Sequence, residues 1–279
     1  MALEATLAAA PSPRSDLARR LATAAVGLPP AVWMVWHGGW AAALLMSFAS
    51  LLATYEFVTV AKGRLAGSDA PALAAAAALP WLPVAAPGSA AAIALVLVAL
   101  VSFASWALPV ARQDVAAAER APLGVQAVVF CALGPFFLVS LRALPRGEAW
   151  ALSVAAATFG NDAAAYLFGR RLGRTRMAPR VSPGKTWEGF FAGALASLLL
   201  AAAAQKLFPG ALRVRDALVI GAVCAVVGPL GDLSKSLLKR SRKVKDAGRL
   251  LPGHGGMLDR IDALVVNVVA VWAWASWGP

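Results

Sequence analysis

Apolar and polar positions divide the chain into nine apolar stretches, at 21–36, 39–60, 71–87, 89–110, 123–141, 149–168, 189–208, 215–231 and 263–278. A spanning helix needs about 20 residues at 1.5 Å of rise each. The third and ninth stretches are short by that measure, and the ninth gains length if its helix begins near Leu258. No strand-like alternation runs through any stretch, and a helix satisfies its backbone internally in lipid. The pattern predicts an all-α, polytopic integral membrane protein with about nine transmembrane helices. Pro229, between Gly228 and Gly231, is expected to break or kink the eighth helix and free backbone groups beside Asp232.

The polar segments give the expected organisation. Residues 1–20 form a tail that mixes Ala, Pro, Ser and Arg, without the short apolar core and cleavage site of a signal peptide. Residues 21–148 hold the N-terminal transmembrane helices. Residues 149–279 form a C-terminal region whose loops, 169–188 and 232–262, are crowded with Gly, Pro, Ser and both signs of charge. Irregular polar backbone beside a membrane is where chemistry is expected. Glu56, inside the second stretch, reads as an interfacial residue.

Composition excludes a soluble domain. Hydrophobic residues make up 60% of the chain, charged residues 14%, and mean hydropathy is +0.69; soluble domains are nearer half apolar and a quarter charged. The net charge of +12 is spread between apolar runs, where it meets lipid headgroups or phosphorylated substrates rather than nucleic acid. With nine spans and the N-terminus cytoplasmic, only Arg142, Arg146, Lys206, Arg213 and Arg215 of the 26 Lys and Arg residues fall outside. That bias supports a cytoplasmic N-terminus and both long loops on the cytoplasmic side. Cys131 and Cys224 lie in apolar runs and read as small core residues. Two widely spaced histidines and two cysteines do not make a zinc site.

The densest polar cluster runs from Gly231 to Asp262, GDLSKSLLKRSRKVKDAGRLLPGHGGMLDRID. Carboxylates hold a hard cation, the cation bridges phosphate oxygens, and Lys and Arg neutralise the rest. Asp232, Ser236, Lys239 and Lys243 follow helical spacing and so share a face. Asp259 and Asp262 are i, i+3 neighbours at the start of the ninth stretch, where a helix N-terminus favours negative charge. Between them and the helix face, Pro252-Gly253-His254-Gly255-Gly256 can turn tightly enough for backbone amides to approach an anion. His254 reads as a turn or phosphate contact rather than a general base.

A second cluster begins at Asn161-Asp162, inside the sixth stretch, and continues through Tyr166 and Gly169 to SPGKTWEG at 182–189. An ionisable residue within a membrane segment is costly, which marks Asp162 as a functional candidate. The GKT triplet lacks the earlier glycine and soluble strand of a phosphate-binding P-loop, and position 179 is Pro. That reading is rejected.

Together these motifs resemble the phosphatidate cytidylyltransferase family. The family's signature places Ser, Lys-Arg, Lys-Asp, His-Gly-Gly and Asp-Arg-x-Asp in that order. The matching residues are Ser236, Lys239, Arg240, Lys245, Asp246, His254, Gly255, Gly256, Asp259, Arg260 and Asp262. The resemblance is specific over about 161–262 and otherwise one of hydropathy. Lys235 departs from the pattern, standing where an acidic or small residue is common, and is given no role; Ala163 and Ala164 also depart from it.

The resemblance implies CTP and phosphatidate as substrates, magnesium held by Asp232 and Asp259 with potassium accompanying it, and a homodimer. It also implies a bacterial inner-membrane location with the active site facing the cytoplasm. In the corresponding reaction Asp246 and Asp262 support the metal, while Lys239, Arg240, Lys245 and Arg260 neutralise phosphates. Ser182, Lys185, Ser236, His254, Gly255, Gly256 and Asp162 are the expected substrate contacts. Two other readings are a CTP-dependent lipid kinase and a non-catalytic lipid transporter. The transporter predicts polar residues spread through several spans, whereas here they gather at one face.

Overall fold

The structure, a computed structural model, describes residues 13–111, 120–244, 248 and 256–277. Among them the chain forms α1 (Pro13–His37), α2 (Gly39–Lys62), α3 (Ala70–Ala78), α4 (Leu82–Ala85), α5 (Ala90–Ala111), α6 (Ala121–Cys131), α7 (Leu133–Ala143) and α8 (Gly147–Leu172). A hairpin of β1 (Arg176–Ala178) and β2 (Ser182–Thr186) follows. Then come α9 (Trp187–Leu207), α10 (Val214–Ser241) and α11 (Leu258–Trp277). The protein is an all-α membrane protein. Among the described residues four segments are long and apolar enough to cross a bilayer: Gly39–Lys62, Pro122–Ala143, Trp187–Leu207 and Val214–Ser241.

Proline and glycine explain several departures from the expected pattern. The third stretch is not one helix: it divides into α3, a 3-10 turn at Leu79–Trp81 and α4, with Pro80 and Pro83 at the first turns of the later pieces. The fifth stretch is α6 and α7 joined at Ala132, just before Gly134-Pro135. The segment read as a tail is already helical from Pro13. In contrast, α10 does not break at Pro229 but continues to Ser241. Lys243 therefore lies beyond the helix, with a left-handed φ of 57°, rather than on the face expected for it.

The loop at 169–188 is also more regular than expected. Helix α8 takes up its start, and the antiparallel hairpin pairs Arg176 with Thr186 and Ala178 with Ser182. The Thr186 hydroxyl accepts the Gly189 amide at 3.2 Å to cap α9, and Glu188 accepts the Thr175 amide at 3.1 Å. The segment is thus fixed at both ends to the helices it joins.

Helices α8–α11 pack through small residues and buried polar pairs, the means available where lipid removes the hydrophobic drive. Helix α9 lies close on α8, where a Cβ at Gly193 would meet the Asn161 side chain at 2.7 Å. The Asn161 amide donates to the Cys224 carbonyl at 3.1 Å, and Asn267 donates to Thr158 at 2.9 Å. Ser197 donates to the Gly221 carbonyl at 3.0 Å. Both cysteines are buried and free, as expected of core residues. Outward positions such as Leu95, Phe103, Phe191 and Leu199 are exposed apolar side chains suited to lipid.

Two of the basic residues excepted from the charge bias close helix ends. Arg142 donates to the Val35 carbonyl at 3.0 Å and the Trp36 carbonyl at 2.6 Å, at the end of α1. Arg146 donates to the Pro209 carbonyl at 2.8 Å, just after α9. Arg142 satisfies terminal carbonyls that a helix leaves unpaired, and Arg146 ties down the turn that follows α9.

Candidate active site

Helix α10 supplies the spine of the site. Because it stays helical past Pro229, Asp232, Lys235, Ser236 and Lys239 keep spacings of three or four residues and lie along one side. Asp232 and Lys239 stand about 10 Å apart along the axis at 1.5 Å per residue. Lys235 and Ser236 are buried.

The hairpin brings the second element. Lys185, on β2, reaches Asp232 with its Nζ 2.6 Å from Oδ2 and donates to the Pro229 carbonyl at 3.2 Å. Beside this pair opens a cavity of about 570 Å³, lined by Asn161, Asp162, Tyr166, Ser182, Lys185 and Asp232 among others. Its size suits a small-molecule ligand, for which about 300–1,000 Å³ is usual. The second sequence cluster thus lines this cavity, and α10 adds Pro229 and Asp232 to it.

Helix α11 closes the arrangement. Asp259, in its first turn, pairs with Lys239 at 2.6 Å, both side chains nearly buried. Asp262 Oδ1 accepts the Ala263 amide at 2.8 Å. The Asp232 and Asp262 carboxyls lie within electrostatic reach of one another. Two carboxyls in such reach repel unless a proton or cation stands with them. Asp162 is within electrostatic reach of Asp232, Lys185 and Arg260. Four carboxylates (Asp162, Asp232, Asp259, Asp262) are therefore interleaved with the cations Lys185, Lys235, Lys239 and Arg260.

The other expected site residues fall differently. Arg240 is exposed and donates to the Val181 and Val244 carbonyls, bracing the hairpin against the end of α10. Gly256 packs against Glu56. Lys245, Asp246, His254 and Gly255 lie outside the described residues. Asp232 is paired with Lys185 and lies in electrostatic reach of Asp262, while Asp259 is held by Lys239. Among the described residues no three Asp, Glu, His or Cys side chains converge as a metal-ligand set.

Sequence reasoning passes over two residues. Lys235 is 2% exposed, lies in electrostatic reach of Asp262, Asp232 and Asp259, and its Nζ has no hydrogen-bond partner among the described residues. Its spacing, three after Asp232 and four before Lys239, already places it on their face. Glu56 is not interfacial but 1% exposed, and it accepts the Leu258 amide at 2.8 Å across 202 residues of sequence. No local signal marks that pairing.

The fold and site define a membrane-embedded helical protein with carboxylates and cations in and beside one cavity, an arrangement suited to phosphorylated ligands. A model described as the cytidylyltransferase family matches residues 18–277, and the chain belongs to that family. It is 42% identical over 123 residues to a protein of Brucella suis biovar 1 named phosphatidate cytidylyltransferase, covering 43% of this chain and 44% of that protein. It is 37% identical over 145 residues to one of the same name from Pseudomonas aeruginosa, covering 50% and 54%. A third of that name, from Haemophilus influenzae, is 40% identical over 111 residues, 38% of each chain. The chain thus spans about half the length, or less, of the curated relatives it matches.

Proposed function

We propose that this protein is a phosphatidate cytidylyltransferase, forming CDP-diacylglycerol and pyrophosphate from CTP and phosphatidate. The observation that carries this reading is a cavity lined by Asp162, Lys185 and Asp232 in a membrane protein, with the Lys239–Asp259 pair farther along the Asp232 side of α10. A phosphatidate oxygen attacks the α-phosphorus of CTP, the new P–O bond forms, and the bond to the bridging oxygen breaks as pyrophosphate leaves. The nucleophile is already ionised at neutral pH, so the main obstacle is repulsion between two polyanions.

This chain's cations address that obstacle. Lys185 and Lys239 are held in place by Asp232 and Asp259, so each ammonium is positioned before a phosphate competes for it. Arg260 adds charge near Asp162. Ser182 and Tyr166 line the cavity and offer hydroxyls to a headgroup or nucleotide.

A divalent cation would relieve the repulsion between the Asp232 and Asp262 carboxylates, which lie in electrostatic reach of one another. Asp232 and Asp259 would hold magnesium, with Asp262 in support. A bound magnesium supplies Lewis-acid polarisation and neutralises charge on phosphate oxygens. A multi-pass arrangement of about nine spans in the bacterial inner membrane, N-terminus and site cytoplasmic, accords with the distribution of basic residues. Potassium beside the magnesium and a homodimer complete the proposal.

The test is a detergent assay of the purified chain with CTP, phosphatidate and magnesium, scored for pyrophosphate. Label from the α-phosphate of CTP is expected in the lipid. Label from the γ-phosphate there would instead establish a lipid kinase, and no transfer of either would end the enzymatic reading.

A further inference from the structure

Glu56 sits on α2, in the half of the protein that contributes nothing else to the described site, and its surroundings are apolar: Ala53, Phe57, Val58, Cys131 and Leu258 form one buried cluster there. A carboxylate is costly in such a place unless hydrogen bonds hold it. Its Oε2 accepts the Leu258 amide at 2.8 Å, one of the unpaired amides at the start of α11. Its two oxygens are also closed in by two glycines: a Cβ added at Gly248 would overlap Oε1, and one added at Gly256 would overlap Oε2. Gly248 and Gly256 bracket residues 249–255, and the next residues along, Asp259, Arg260 and Asp262, belong to the site.

We infer that Glu56 is a positioning residue: its carboxylate, seated between Gly248 and Gly256 and bonded to the Leu258 amide, fixes the start of α11 and with it the placement of Asp259 against Lys239. The inference rests on the reaction proposed above for its activity readout, but not for its structural one. The negative charge also lies at a helix N-terminus, which favours it there. A Cβ at 248 or 256 would have to displace the buried Glu56 carboxylate, a reason for glycine there separate from any contact of the glycine turn with phosphate.

The experiment uses the full chain in detergent with E56A, E56Q, G256A and the double variant E56A/G256A. Hydrogen exchange of the Leu258 amide is expected to rise about tenfold or more in E56A. It should change less than about threefold in E56Q, whose amide oxygen still accepts the bond. Pyrophosphate release is expected to fall about tenfold in E56A and in G256A, and the double variant should be no slower than the slower single one. The added methyl then has no carboxylate to displace. Equal exchange in E56A and the unaltered chain would overturn the inference, as would a double variant about a hundredfold slower, the additive result. If E56A does not fold, E56Q and G256A decide: Leu258 protection kept in the first and lost in the second supports the latch, and protection kept in both sinks it. If the unaltered chain releases no pyrophosphate, the reaction proposal falls while exchange at Leu258 still judges Glu56.

Discussion

Helices α2, α3, α5, α6 and α7 meet largely through alanine and aliphatic side chains such as Ala72, Ala76, Leu79, Ala94 and Val128. Helices α8–α11 are joined instead by amide, hydroxyl and charged groups: Asn161 to the Cys224 carbonyl, Asn267 to Thr158, Lys239 to Asp259. The difference lies in what a single substitution leaves behind. An apolar side chain that turns from its protein neighbour toward lipid still has apolar surroundings. A polar group deprived of its partner inside the protein is left desolvated and unpaired. The second region is therefore expected to be the more sensitive one, and the first to tolerate change better except at its own polar contacts, Glu56, Arg142 and the Lys62–Asp69 pair.

The sharpest test of this contrast is metal removal. Complete chelation of divalent ions is expected to bring pyrophosphate release below detection, with magnesium restoring it; full turnover in chelator would remove the carboxylate-held cation from the account. Asp232→Asn and Asp259→Asn, which keep shape and lose charge, are expected to slow transfer about 100- to 1,000-fold while the protein still elutes as a single species. Turnover within a few fold of normal would mean that the polar region is only structural.

Lys235→Met should separate stability from chemistry. Removing this buried ammonium takes away a positive charge in electrostatic reach of Asp262, and a lower midpoint of thermal unfolding is expected. An unchanged midpoint would show that Asp262 does not depend on that lysine. The smallest effect is expected at Leu95→Val on α5, an outward side chain that is 71% exposed. Activity and stability should stay within about 0.5 kcal/mol, and a large loss there would erase the contrast between the two regions.

Much of the site is legible in the sequence because its residues are close along the chain and helical spacing is regular. Asp259 and Asp262 are expected at the start of a helix, and α11 does begin at Leu258. Asp162 stands out as a charge within a membrane segment and Lys185 as part of SPGKTWEG, and both line the cavity. Lys235 escapes notice because it departs from a family pattern, although its spacing puts it between Asp232 and Lys239. Of the break or kink expected at Pro229, the break does not occur: a missing N–H weakens a helix locally without ending it, and α10 runs on to Ser241.

By itself the sequence determined the helical membrane class, the concentration of charge in two segments of the second half, and the chemistry those charges favour. These follow from composition and from periods of a few residues, which any helix reads the same way. Only the tertiary structure decided which charges meet: Lys185 with Asp232 across 47 positions, Asp232 with Asp262, Glu56 with the Leu258 amide across 202. Such pairings depend on how separate helices pack, and no local pattern encodes the distance between residues that far apart along a chain.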